Sequence, residues 1–320
     1  MREQSMVPEP EFESYYGRQI IKTPTWKTPD VPLYLFLGGL AGASAVLAEG
    51  AAMTGDPSLE RVSRLVAASG AGLGTVFLVH DLGRPERFLH MLRVFKVTSP
   101  LSVGSFILAP FSALSGAAAA SQVTGLLPRL GRLAGVAAAL FGPPLVTYTA
   151  ALLANTAVPA WHEAHRELPF VFAGSGASAA GGMAMLVAPL SSTAPARRLA
   201  IMGAAVELSS SELLKRRLGM LAEPYEQGRS GTLMRTASRM TASAAALSVL
   251  GRRSRLVTAL CGATYVAASA ITRFGVFEAG LASARDPKYV VVPQRERLAR
   301  REAEAARSAE QGQAPVETGS

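Results

Sequence analysis

The stretch of sequence that most constrains the fold is residues 101–127, which contain no charged side chain. A second uncharged stretch follows at 133–158. A helix needs about 20 apolar residues to cross the hydrocarbon layer of a bilayer, and both stretches are long enough. Charged residues make up only 17% of the chain, whereas a soluble domain carries about 25%. These patterns predict an all-α, polytopic integral membrane protein.

The apolar runs predict about eight transmembrane helices. The sixth run is the weakest, because it contains Glu207 and Glu212, which are costly in lipid. We expect an extramembrane N-terminal arm over 1–30, a transmembrane domain over 31–281 and a polar C-terminal tail over 282–320. The expected spans are 31–48, 62–82, 101–127, 133–158, 168–190, 199–214, 240–250 and 256–277.

Charge and composition narrow the chemistry that the chain can perform. The net charge is +9, and the basic residues fall mainly between the apolar runs, where they act as topology determinants and lipid-headgroup contacts. Cys261 alone cannot supply the thiolates of an iron–sulfur cluster, and the four histidines lie at span ends or in loops, which does not suit haem ligation. His162 and His165 lack the second ligand pair of a metal site. The sequence predicts no haem, iron–sulfur cluster, metal or nucleic-acid partner.

The expected location is a bacterial inner or plasma membrane, which the chain crosses many times. An even number of spans places both termini on one side, together with loops 83–99 and 215–239. These loops are the more basic ones, which favours a cytoplasmic position for the termini.

The densest polar cluster, residues 80–90, lies where the second expected span leaves the membrane. An ionised Asp81 at the edge of the hydrocarbon is costly unless it is paired, and Arg84 is the nearest candidate partner in the sequence. His80 could pass protons near neutral pH. The cluster is either a proton-active site, with Asp81, His80 and Arg84 as candidate catalytic residues, or a salt bridge that terminates the helix.

A second polar cluster follows the fourth expected span on the same side and begins at Asn155. It contains Trp161 and His162, and it could close over a pocket or form a solvated interfacial loop. Tyr148, inside the fourth span, needs a hydrogen-bond partner if it is buried. Tyr34 and Asp30 open the first span on the same side. These residues are candidates for a binding site at one mouth of the bundle.

Charged side chains in the later spans are further candidates. Glu207, Glu212 and Arg273 could form an intramembrane proton path or a structural ion pair. The residues alone leave both interpretations open.

A series of short motifs follows the chain in a fixed order, and the most specific are Asp-Leu-Gly-Arg-Pro at 81–85 and the loop around Trp161. The full set is 15–17 with Trp26, 34–42, 81–90, 99–102, 155–161 with 168–169, 223–225 and 277–280. In this combination they resemble the NrfD/PsrC family, which supplies the membrane subunit of polysulfide reductase and related molybdopterin or iron–sulfur oxidoreductases. The matching stretches fall between residues 12 and 290.

The resemblance implies a membrane domain of two four-helix bundles and a menaquinone or ubiquinone site in the first bundle. It also implies two partners, which are a ferredoxin-like iron–sulfur subunit docked nearby and a catalytic, molybdopterin-containing subunit. The candidate quinone-binding residues are Tyr34, Asp81, Arg84, Tyr148, Asn155 and His162.

Our main hypothesis is a quinone-binding membrane anchor that exchanges electrons between the quinone pool and an iron–sulfur partner subunit. Asp81 and His80 would exchange protons, and Arg84 would hold Asp81 ionised or stabilise negative charge on the quinone. One alternative is a proton-coupled membrane transporter that uses the same carboxylates. Another is a structural membrane anchor without quinone chemistry.

Overall fold

The computed structural model describes residues 20–84, 86–250 and 253–312, and all regular structure within these ranges is helical. Tyr15 and Tyr16, which belong to the first of the family motifs, lie outside the described residues, as does the end of the C-terminal tail. The expectations for those segments stay predictions.

The helices follow one another through short connections, and local sequence sets several of their ends. Asp56 and Ser99 each cap the following helix, because each side chain accepts a hydrogen bond from a backbone N–H three residues later. Gly55 ends the first helix in the left-handed conformation that glycine adopts without strain. The helices are α1 Asp30–Thr54, α2 Pro57–Asp81, α3 Glu86–Met91, α4 Pro100–Thr124, α5 Pro128–Ala154, α6 Pro159–Glu163, α7 Leu168–Val187, α8 Thr193–Leu218, α9 Glu223–Glu226, α10 Gly228–Leu250, α11 Arg255–Arg285 and α12 Lys288–Gly312.

The connections fall at two ends of the molecule. We call the end where α1 begins side A, and the end where α1 finishes side B. Asp56 in the α1–α2 turn accepts a 2.9 Å hydrogen bond from Ser192 in the α7–α8 turn, so both turns lie on side B. The α10–α11 turn lies there as well, because Arg255 donates a 2.7 Å hydrogen bond to the carbonyl of Met185 near the end of α7.

Helix pairings separate into those of the first and second halves of the chain. α1 and α4 each pack against α2 and α5, whereas α7 and α10 each pack against α8 and α11. Contacts of α1 and α5 with α7, and of α1 with α11, join the two sets. Protein buries 83% of the most apolar part of α1 but only 39% of that of α2 or α4. α1 is therefore the central helix, and α2 and α4 present apolar faces outward.

Six of the described helices are long and apolar enough to cross a membrane: α1, α2, α4, α5, α7 and α11. This establishes the expected multi-pass helical class. α8 and α10 have 26 and 23 residues but do not share that apolar composition. The helices that contain the predicted runs 199–214 and 240–250 extend beyond those runs, because hydropathy detects only the apolar part of a helix that continues through charged residues.

Paired glycines bring the central helices into close contact. Gly42 on α1 faces Gly142 on α5, and a Cβ added at Gly42 would lie 2.5 Å from the Gly142 carbonyl oxygen. Gly39 on α1 faces Gly176 on α7 in the same manner. Small residues let helix backbones approach closely in lipid, where no hydrophobic force drives helix against helix. Further crossings of this kind join α7 to its neighbours through Gly174 with Gly203 and Gly182 with Gly262.

The α1–α5 crossing gives a stability prediction. We expect Gly42→Ala to lower the free energy of unfolding by about 1–3 kcal/mol, because the added methyl group forces two backbones apart. Gly72→Ala on α2 is the control, since nothing lies within 4 Å of its added Cβ. Thermal unfolding of the detergent-solubilised variants measures the difference. Equal losses of stability in the two variants would contradict the role of the crossing.

Candidate functional site

The ends of α1 and α2 on side A bring a histidine and a carboxylate together. Asp30 is the first residue of α1, His80 is the penultimate residue of α2, and His80 Nδ1 lies 2.7 Å from Asp30 Oδ2. The Asp30 side chain is 7% exposed, whereas that of His80 is 71% exposed. A buried carboxylate therefore orients an accessible imidazole, which is an arrangement suited to proton exchange.

Asp81 does not form the expected pair with Arg84. Its carboxylate accepts a 2.8 Å hydrogen bond from the backbone N–H of Lys27, whose ammonium donates to the carbonyl of His80 at 3.2 Å. Arg84 is exposed and forms no ion pair with a carboxylate of the described residues. Between the two lies Gly83, whose φ of 69° turns the chain away at the end of α2. The predicted Asp81–Arg84 pair is wrong, and Asp81 instead fastens the segment before α1 onto α2.

Tyr34 and Tyr148 meet between the helices. Their hydroxyl groups are hydrogen-bonded to each other, and the two residues are 1% and 7% exposed. Tyr34 lies one helical turn after Asp30 on α1. Gly104 on α4 leaves room for the Tyr148 ring, because a Cβ at that position would overlap the ring. The two candidate tyrosines are thus neighbours, and each satisfies the other's polar group.

An open groove follows the outer face of α2 next to the histidine. Its volume is about 400 Å³. Val76 in its wall is 63% exposed. The Thr75 hydroxyl is bonded within α2, to the Ala71 carbonyl at 2.8 Å, so His80 is the side chain free to bond a ligand. The groove is lined by Thr75, Val76, Val79, His80 and Gly83.

The loop after α5 is held in place by a buried tryptophan. The Trp161 Nε1 donates a 2.8 Å hydrogen bond to the carbonyl of Val276 on α11. Its ring stacks on Trp26, which precedes α1, with 5.6 Å between the ring centroids. Trp161 therefore connects the N-terminal segment, the α5–α7 loop and α11 on side A.

Two candidate residues of that loop lie apart from the tyrosines. His162 is exposed, and its Nδ1 lies 3.0 Å from the Ala154 carbonyl oxygen. Asn155 is exposed at the end of α5. The tyrosine pair is buried, so the structure does not bring these two residues to it. In the ranges that the structure describes, no group of three or more His, Cys, Asp or Glu residues could hold a metal ion.

A polar cluster attaches α12 to side A. Glu223 Oε2 accepts hydrogen bonds from Lys288 Nζ at 2.8 Å and from the Tyr289 hydroxyl at 3.1 Å. The hydrogen bond from Lys288 holds the pKa of Glu223 below its usual value, and the same contact raises the pKa of Lys288. The buried Tyr225 donates to the Ala160 carbonyl at 2.9 Å, and burial raises its pKa. These contacts join α9 to both α12 and the Trp161 loop.

Glu207 and Arg273 are buried near the junction of α1, α7, α8 and α11. The Arg273 guanidinium donates to the carbonyls of Phe172 at 2.9 Å and of Leu35 at 3.4 Å. Glu207 accepts a 2.7 Å hydrogen bond from Thr272. Glu207 and Arg273 do not form a direct ion pair. Arg273 instead ties α11 to the backbones of α1 and α7.

Sequence reasoning missed two arrangements of charged side chains, one on each side of the molecule. It named Asp30 only as the start of a span, because the 50 positions that separate it from His80 hide their contact. It also missed Arg64, which pairs with Glu49 at 2.9 Å and Glu60 at 3.0 Å on side B. The four-residue spacing of Glu60 and Arg64 is one turn of a helix and could have indicated the second pair.

The packed apolar helices and the polar groups at their ends identify the chain as a multi-pass helical membrane protein. A family model described as "Polysulphide reductase, NrfD" matches residues 21–203, which is more than half of the chain. The chain belongs to the NrfD family. No curated protein matches it at a significant level. Membership indicates a membrane subunit of a redox complex, and subunits of this family generally partner with iron–sulfur and molybdenum-containing subunits.

The tyrosine pair gives a prediction about energetic coupling. Tyr34→Phe or Tyr148→Phe alone should lower the free energy of unfolding by about 1–3 kcal/mol, because either change leaves a buried hydroxyl without its partner. The double variant should cost less than the sum of the two, since no unsatisfied hydroxyl remains. The double-mutant cycle is measured by denaturing the unsubstituted protein, the two single variants and the double variant in detergent. Additive losses would contradict a direct bond between the hydroxyls.

Proposed function

We propose that this chain is the quinone-reactive membrane subunit of a multisubunit oxidoreductase. It would exchange electrons between the menaquinone or ubiquinone pool and an iron–sulfur partner. The observation that carries the proposal is the apolar groove along α2 that ends at the His80–Asp30 pair. A quinone joins a long apolar tail to a headgroup that accepts hydrogen bonds. The groove offers an apolar wall for the tail and, at its end, an accessible imidazole for the headgroup.

The residues of the groove fit these needs. Val76 and Val79 would contact the tail, and His80 would bind a headgroup oxygen. When bound, a quinone supplies chemistry that moves two electrons and two protons. Since Nδ1 of His80 faces Asp30, Nε2 is the atom that would exchange a proton with the headgroup. Asp30 would orient the ring, and the exposed part of His80 would exchange protons with water on side A.

The other predicted residues have supporting roles in this proposal. Arg84 is exposed next to Gly83 at the end of the groove and would supply positive charge near the headgroup. Asp81, one residue beyond His80, is the candidate for the second proton. The Tyr34–Tyr148 pair would close the site from inside the bundle. The two other residues predicted from the sequence, Asn155 and His162, would face a partner subunit from the α5–α7 loop.

Electrons must pass to another subunit, because one cysteine and four histidines cannot hold a chain of redox centres. We propose that a ferredoxin-like subunit docks on side A, with a molybdopterin-containing catalytic subunit beyond it. Trp26, which is half-buried and is held in place by its stack on the buried Trp161, would form part of that docking surface. Its rigidity supports the choice, because a preorganised surface loses little entropy on binding.

We also propose that eight helices cross the membrane, as two four-helix bundles. α8 packs along α7, and α10 packs along α11, and both partners are apolar enough to span. Helices that pack along each other in this way overlap in depth, although α7 and α8 have 20 and 26 residues and α10 and α11 have 23 and 31. α1, α2, α4 and α5 would form the quinone-binding bundle, and α7, α8, α10 and α11 the second.

The histidine gives the direct test of function. We expect His80→Phe to slow quinol oxidation by the purified complex by about 100-fold or more, because it removes the proton-exchanging group. His90→Phe is the matched control, since His90 is an exposed histidine on the same side and lies outside the groove. Wild-type rates in His80→Phe would contradict the proposal and favour a structural anchor without quinone chemistry.

A separate variant tests the proton role of Asp81. Asp81→Asn keeps an oxygen that can accept the Lys27 hydrogen bond but removes the carboxylate. If Asp81 carries the second proton, quinol oxidation slows while the quinone still binds, as measured by steady-state kinetics and by quinone titration. An unchanged rate would remove Asp81 from the mechanism and leave its contact with Lys27 as its role.

A further inference from the structure

Charged and polar side chains lie among apolar ones on the outward surfaces of α8 and α10, and both helices pack against helices that are apolar enough to span a membrane. We call this surface the α8–α10 face. This inference rests on the proposal that α8 and α10 cross the membrane, where the hydrocarbon offers no hydrogen bonds and an unpaired charge is therefore costly. The face is defined by the exposed residues Ser209, Glu212, Arg216, Arg235, Arg239 and Ser243.

Arg239 lies deep along the helix rather than at its end. It comes 11 residues after Gly228, the first residue of α10, which corresponds to about 16 Å along the helix axis. The pairing of α10 with α11 gives the same depth. Gly275 on α11 lies against Met234, and α10 continues from there towards side B. Arg239 therefore stands beside the apolar part of α11. Its side chain points back towards side A but is too short to reach the helix end.

The charges of this face are satisfied unequally. Glu212 and Arg216 pair with each other at 2.9 Å, close to side A. The Arg235 guanidinium donates to the Glu226 carbonyl and to the Thr232 hydroxyl, at 3.2 Å for the latter. Arg239 forms no hydrogen bond or ion pair with any residue in the described ranges. The deepest charge on the face is thus the one that lacks a partner.

We infer that a second membrane-embedded polypeptide, different from this chain, covers the α8–α10 face and places a carboxylate opposite Arg239. A second copy of this chain would bring another arginine to the same depth. The nearby Glu207 of a second copy would not help, because it is buried, with 4% of its surface exposed. This partner would lie within the bilayer, apart from the subunits proposed to dock on side A.

Oxygen access to a spin label tests whether the face is covered. The label is placed at Ser243 after replacement of the single native cysteine by Cys261→Ala, and molecular oxygen, which concentrates in lipid, is the probe. Leu140 on the outer face of α5, which is 73% exposed, is the control position. In native membranes we expect collision with oxygen to be low at Ser243 and high at Leu140. In the full chain purified alone and placed in lipid nanodiscs, collision with oxygen should be high at both positions.

Charge reversal tests the carboxylate. Arg239→Glu should raise oxygen collision at Ser243 in native membranes to the level found at Leu140, because two carboxylates would then oppose each other. Arg253→Glu, at an exposed position in the α10–α11 turn, is the matched control and should leave the Ser243 label shielded.

Four results would overturn the inference. High oxygen collision at Ser243 in native membranes would mean that lipid covers the face. Access of a water-soluble nickel probe would mean an aqueous surface. Dipolar coupling between labels at Ser243 would identify a second copy of this chain. Shielding in the purified chain without such coupling would mean that another part of the same chain covers the face.

Discussion

The close crossing of helices at paired glycines is the constraint on which the rest of the structure depends. α1 approaches α5 at Gly42 and Gly142 and approaches α7 at Gly39 and Gly176. These contacts put α1 at the centre, where it belongs to both halves of the chain. Helices in lipid gain little from burying apolar surface, so the fit of backbone against backbone must provide the packing energy. A methyl group at these positions would separate the helices that carry the candidate site.

Arg273 adds a polar connection to this packing. Its guanidinium spans the junction by donating to carbonyls of α1 and α7, and the buried Glu207 on α8 lies nearby. Burying a charge costs energy, so such a contact contributes more to the choice of one arrangement than to stability. The arginine can satisfy carbonyls on two helices only when α1, α7 and α11 have their observed relation. It therefore selects how the two halves of the chain meet.

The site on side A follows from the same geometry. α1 and α2 are antiparallel neighbours, so the first residue of one helix meets the end of the other, and Asp30 reaches His80. Asp81 then binds the segment before α1, which carries Trp26 to its stack on Trp161. A buried carboxylate, an accessible histidine and an apolar groove thus arise together at one mouth. The proposed quinone chemistry needs these three features in the same place.

The sequence by itself determined the membrane class, because uncharged stretches longer than a bilayer's thickness can be recognised without knowing their neighbours. It also identified the family, through short motifs whose order survives in the linear chain. Tyr34 and Tyr148 were both chosen from the sequence, since a tyrosine in a span needs a partner, but their contact with each other could not be read there.

Only the tertiary structure decided which groups bond to the candidate side chains. It also decided how far the less apolar helices extend. Local spacing suggested Arg84 for Asp81, whereas the folded chain offers the backbone of Lys27. The segments predicted from hydropathy cover only parts of α8 and α10, because the charged residues interrupt the apolar pattern but not the helix. The physical reason is common to both cases. Sequence patterns report the local preference of a segment for lipid or water, while hydrogen bonds and helix crossings depend on which distant segments the fold brings together.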